Sequence, residues 1–159
     1  MKVKDAFKMG EYCLKKDLFG RWDFYRNYGA DGNIKRCTYE NFESVIVSDG
    51  LVKVYKDLSV DRLSVGLYNS KAELVLPVEW GDIFIFTSDY THKPAYLFLK
   101  DYVGNWGVAN IDGSIIMPPL DFATAMWKKD DQKEYLTLFD RYGKRFEYVV
   151  SDTGLVKTS

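Results

Sequence analysis

One histidine, two cysteines and four prolines are all that 159 residues contain, and each scarcity closes off a class of chemistry. His92 is the only imidazole a nucleophile–His–acid system could use. Neither Cys13 nor Cys37 lies in a nucleophile motif, and no Gly-x-Ser-x-Gly occurs. One His and two distant Cys fall short of a closed tetrahedral ligand set. Phosphate-binding and dinucleotide glycine patterns are missing as well. Carboxylates at Glu40, Glu43, Asp82, Asp121, Asp130 and Asp131 could in principle pair for acid–base work, but mere availability reads as surface and turn. The expectation is therefore no catalytic residue, no cofactor and no metal, with a small hydrolase only the third reading.

Long apolar runs are missing too. No stretch of about 18 apolar residues exists, and the N-terminal residues interleave charge with apolar side chains instead of forming a signal core. Two cysteines without ligand spacing read as reduced packing residues. These features point to a soluble, cytoplasmic protein. The net charge of −1 provides no overall field toward nucleic acid or anionic membrane, so no membrane partner is expected. The charge is uneven: residues 1–36 hold nine Lys/Arg against five Asp/Glu. A solvated face explains that imbalance most simply.

What is present is a globular composition, 47% apolar and 28% charged, in a chain long enough to bury roughly 70% of its unfolded surface. Aromatics at 16% favour strands. Residues 62–86 and 103–127 repeat one another without a gap. Gly66 falls on Gly107, Asn69 on Asn110, Leu74-Val75-Leu76-Pro77 on Ile115-Ile116-Met117-Pro118, and Ile85-Phe86 on Met126-Trp127, an offset of 41 positions (107 − 66). A period of this length marks units that cannot bury their apolar faces alone and must stack.

Short apolar or alternating runs bounded by Asp-Gly and similar pairs predict hairpins. They pair 22–27 with 33–38, 44–47 with 51–55, 65–68 with 74–76, 106–110 with 115–117, and 135–140 with 145–150, with a further strand at 96–102. Residues 3–16 fit a short helix or an edge strand equally well. The chain reads as a single all-β domain, residues 1–159. Antiparallel β-hairpin repeats of about 40 residues would form a short solenoid or a propeller- or barrel-like sheet. Two units are clear, and degenerate units lie near 20–47 and 135–156. Eroded end units suit a stack that presents polar caps.

The unit beginning Trp106-Gly107-Val108-Ala109-Asn110, continuing through Asp112-Gly113 and three aliphatics to Pro118-Pro119, resembles the WG repeat. Val65-Gly66-Leu67-Tyr68-Asn69 through Pro77 is similar, departing at Val65, Ala72 and Val78. Each diagnostic residue also has a structural reading. Gly66 and Gly107 start strands where a side chain would meet the neighbouring backbone. Asn69 and Asn110 bond the following turn, Gly113 supplies positive φ, and Pro77 and Pro118 stop the ladder. The resemblance implies a bacterial-type protein in which binding is favoured over chemistry.

Function therefore reads first as a non-catalytic protein-binding module, in its fullest form an immunity or inhibitor protein that occludes a bacterial or phage effector. The partner-binding candidates are Tyr90, His92 and Lys93, in the loop 88–95 that exceeds the repeat hairpin, and Trp127 and Lys128, which open a mixed-charge turn. The alternative is a nucleic-acid-binding module built on the basic, aromatic stretch 15–26, where Trp22 and Phe24 would have to be exposed platforms.

Overall fold

The computed structural model describes residues 6–9, 12–27, 34–36, 42, 44–48, 50–59, 62–88, 92–151 and 154–158. Among them the chain is all-β, and every pairing between strands is antiparallel and between chain neighbours. The first sheet holds β1 (Ala6–Met9), β2 (Tyr12–Lys16), β3 (Trp22–Asn27) and β4 (Ile34–Arg36) in that order. The second holds β5 (Ser44–Ser48), β6 (Leu51–Ser59), β7 (Arg62–Tyr68) and β8 (Leu74–Trp80). The third runs through β9 (Asp82–Thr87), β10 (Pro94–Lys100), β11 (Trp106–Asn110), β12 (Ile115–Lys129), β13 (Glu134–Asp140), β14 (Arg145–Ser151) and β15 (Gly154–Lys157). Residues 6–9 and 12–16 form a hairpin, which decides between helix and strand for the N-terminal segment. Cys13 pairs through its backbone with Lys8 and Tyr25, while Cys37 lies outside the described residues.

The third sheet is two units joined by one strand. The first half of β12 pairs with β11 and the second half with β13, the change falling at Phe122, which is opposite both Trp106 and Asp140. One repeat earlier Gly81 stands at that point and separates β8 from β9. A Cβ on Gly81 would lie 2.6 Å from the Asp101 carbonyl oxygen, and the Gly81 N–H donates to the Lys100 carbonyl at 2.8 Å. Four units of one design result: β1–β4, β5–β8, β9 to early β12, and late β12 to β15.

Cores lie between successive units, not within them. Leu14 of unit 1 meets Val52, Val54 and Tyr68 of unit 2. Leu51, Val65, Leu67 and Leu76 of unit 2 meet Ile83, Leu97, Leu99 and Ala109 of unit 3. Tyr96, Phe98 and Val108 of unit 3 meet Leu136 and Leu138 of unit 4. Side chains alternate across a strand, so on β10 Leu97 and Leu99 face backward while Tyr96 and Phe98 face forward. All four are buried, which explains why this run reads as continuously apolar and not alternating.

Unit 4 departs from this on its forward face. Aligning its turn at Asp140 with the turn at Asp101 puts Thr137 where unit 3 has Phe98 and Glu147 where it has Val108. Both positions alternate with residues that face unit 3, and they hold a threonine, itself fully buried, and a partly buried glutamate where unit 3 carries core.

The close approach expected at the repeat glycines is present. Cβ atoms there would lie 2.6 Å from the Val78 side chain at Gly66 and 2.6 Å from the Met117 carbonyl oxygen at Gly107. Gly66, however, sits well inside β7 instead of at its start. Pro77 and Pro118 do not end their strands either: β8 runs on to Trp80 and β12 to Lys129. The physical reason is a bulge. Leu67 pairs with Leu76 and Val65 with Trp80, so Pro77, Val78 and Glu79 bow out opposite Gly66. Val108 pairs with Met117 and Trp106 with Phe122 in the same way. A proline in a bulge has no ladder donor to lose.

Candidate functional site

Two sequence candidates far apart in the chain come together at one edge. Residues 88 and 92–93 connect β9 to β10, and residues 130–133 connect β12 to β13. The Ser88 hydroxyl donates to Glu134 Oε1 at 2.8 Å, and both side chains are buried. Nothing in the sequence separates Glu134 from the surface acids around it. The first loop is closed by backbone bonds from the Ser88 N–H to the Lys93 carbonyl (2.9 Å) and from the His92 N–H to the Ser88 carbonyl (2.8 Å). His92 takes φ 55°, in the left-handed region that bulky residues rarely occupy. His92 and Lys93 are both exposed. Tyr90 lies outside the described residues.

The second connection is organised by Asp130. Its Oδ1 accepts the N–H groups of Gln132 and Lys133, each at 2.8 Å, and its Oδ2 accepts the Tyr135 hydroxyl at 2.9 Å. These bonds, led by the one from Gln132, hold the Asp130 carboxyl below its ordinary range. Lys128 is exposed beside it, paired through the backbone with Tyr135. Trp127 is placed differently. Its ring stacks on Phe86 with centroids 3.4 Å apart and meets Tyr96 and Phe98 at 5.8 and 5.7 Å. It is partly buried against the core between units 3 and 4, and its Nε1 is buried without a hydrogen-bond partner. The indole thus braces the edge from beneath, while His92, Lys93 and Lys128 face outward from it.

A cleft of about 560 Å³ opens at the opposite edge, between units 2 and 3, lined by Leu63, Gly81, Asp82, Asp101, Tyr102 and neighbouring residues. Its two carboxylates serve the fold. Asp82 ion-pairs with Lys53 at 2.8 Å, and Asp101 Oδ1 accepts the N–H groups of Val103 and Asn105. Burial alone would lower the Lys53 pKa, but bonds to Asp82 and Tyr55 outweigh it and raise the value. Lys53 also lies 5.3 Å over the Phe84 ring, which stacks on Trp106 at 5.3 Å. His92 is not among the lining residues.

At the other end of the chain Trp22 is partly buried against the first core, with Lys16 5.6 Å over its ring. The Phe24 side chain lies outside the described residues. Among the described residues no group of three or more His, Cys, Asp or Glu is placed to hold a metal ion, and no helix is long and apolar enough to cross a membrane.

No protein-family model matches the chain, and a search of curated proteins found no relative.

Proposed function

We propose that the chain is a non-catalytic protein-binding module whose contact surface is the edge formed by residues 88, 92–95 and 127–134. The observation that carries this reading is the buried Ser88–Glu134 hydrogen bond. It fixes two exposed, functionally rich connections against each other and so pre-organises them, which lowers the ordering cost that binding incurs. The fuller version is an immunity or inhibitor protein of bacterial type that occludes an effector. The likeness to WG repeats enters this proposal on the sequence at Trp106-Gly107 and Val65-Gly66 alone. A packed Trp22 with a lysine across its ring supports nucleic-acid stacking less well than an open platform would.

The test is affinity capture from the native host with wild type, followed by a measured affinity for the partner so identified. The His92→Ala/Lys93→Ala double variant and Lys128→Ala should each weaken that affinity about tenfold or more. Unchanged affinity in both would remove this edge as the contact surface.

A further inference from the structure

The edge opposite the site just described carries a row of outward-pointing turns built to one plan. In the turns at 17–21, 101–105 and 140–144 an aspartate Oδ1 accepts the N–H groups two and four residues on, at 2.8–3.0 Å. The fourth residue is in each case a glycine with positive φ: Gly20 (81°), Gly104 (98°) and Gly143 (83°). Such a turn pushes its second and third residues out into solvent. Leu18 is 101% exposed, Phe19 89%, Val103 85% and Tyr142 87%. Single exposed apolar residues are ordinary, but the same position filled this way in three units is a pattern.

The turns share one edge of the stack. Trp22, just after the first, bridges to Phe42 at the start of unit 2. Trp106, just after the second, pairs with Phe122, which pairs with Asp140, the first residue of the third. In unit 2, Leu63 lines the same cleft as Tyr102 and Val103, and the Ser64 and Tyr102 hydroxyls are hydrogen-bonded.

Cations stand at the base of each tip. Lys16 lies over Trp22 at 5.6 Å, Lys100 over Trp106 at 5.5 Å and Lys144 over Phe146 at 5.2 Å. Arg21, Arg141 and Arg145 add to them, Arg145 paired with Glu147. Asp17, Asp101 and Asp140 each turn Oδ1 inward to backbone N–H groups; counted with Glu147 they set four acids against these six cations, so the edge keeps a modest positive excess. The overall charge of −1 therefore hides an edge on which apolar tips protrude from a cationic base.

We propose that this edge docks onto an anionic lipid surface, with Leu18, Phe19, Val103 and Tyr142 entering the boundary between headgroups and acyl chains. Lys16, Lys100 and Lys144 would then meet the acidic headgroups. Apolar side chains backed by cations are the pairing that interfacial binding uses. Convex tips suit a soft medium that closes around them, whereas a protein partner would have to supply a matching row of pockets. The inference is independent of the protein-binding edge, which lies at the other end of the strands.

Flotation of the full chain with vesicles tests it, using phosphatidylcholine alone and phosphatidylcholine with phosphatidylserine. Wild type should float with the anionic vesicles and not with the neutral ones, less so as salt rises. Leu18→Ser/Phe19→Ser should lower binding about tenfold, and Lys16→Gln/Lys144→Gln should weaken it and flatten its salt dependence. The tips lie outside the core, so far-ultraviolet circular dichroism should show unchanged strand signal in the variants. Failure of wild type to bind anionic vesicles, as expected if the tips serve a protein instead, overturns the proposal. Binding that survives loss of Leu18 and Phe19 while depending on the lysines also overturns it, since that is adsorption by charge alone.

Discussion

Ser88 and Glu134, 46 positions apart, meet through a 2.8 Å hydrogen bond with both side chains buried. A hydrogen bond contributes about 0.5–1.5 kcal/mol net, and leaving a buried partner unsatisfied costs about 1–3 kcal/mol; neighbours in one network couple. Ser88→Ala and Glu134→Leu should each destabilise, and the double variant should cost less than their sum by about 1 kcal/mol. Urea unfolding of the four proteins checks this, and strict additivity would show that the bond does not hold the two connections together.

Glycine substitutions separate two kinds of constraint. At Gly107 an added Cβ meets the Met117 carbonyl oxygen at 2.6 Å and the Pro119 nitrogen at 2.9 Å, both backbone. At Gly143 it meets nothing within 4 Å, but φ is 83°. Gly143→Ala should cost about 1–2 kcal/mol for the left-handed backbone. Gly107→Ala should cost more, about 3 kcal/mol, because the bulge itself must shift. Denaturant midpoints in the reverse order would contradict the bulge as the reason for the repeat glycine.

Thr137 is fully buried and its Oγ1 has no hydrogen-bond partner. Leaving a buried hydroxyl unpaired costs about 1–3 kcal/mol, so Thr137→Val should raise stability by about 1 kcal/mol. Thermal unfolding provides the measurement. A lower midpoint would mean that the hydroxyl is bonded in solution.

The Asp130 carboxyl sits below its ordinary value of 3.8 because of the N–H groups of Gln132 and Lys133 and the Tyr135 hydroxyl. A carboxyl whose pKa is lower folded than unfolded stabilises fully above its unfolded value. That contribution is lost as pH falls through the folded one. The stability gap between wild type and Asp130→Asn should therefore be widest near neutral pH and narrow below about pH 4. Urea midpoints between pH 7 and pH 3 read this out, and a constant gap would mean that Asp130 does not titrate differently in the fold.

Much of the fold is legible in the sequence, for a local reason. Turn residues and strand periodicity act over a few positions, and 22–27 and 106–110 emerge at their observed bounds. The bulges are not legible, because Pro77 and Pro118 read as stops until the partner strand shows what faces them. Nor does one sequence reveal that Leu97 and Phe98, side by side, belong to different cores. The candidate site was half visible: its loops stand out as departures from the repeat, but nothing marks Glu134 as the residue that joins them. The common plan of the turns at Asp17, Asp101 and Asp140 was there to be read as Asp-x-x-Gly. It is overshadowed by the stronger echo between units 2 and 3.

The sheet order, in which every described strand pairs with its chain neighbour, has a kinetic consequence. No long loop must close before a strand finds its partner, so the entropic barrier that slows most β proteins is small here. Each hairpin can form alone and be retained when the next unit covers it. Folding should spread from an inner interface toward the ends, and opening under mild denaturant should begin at the termini. The protein would behave less as one all-or-none body than as a short zipper.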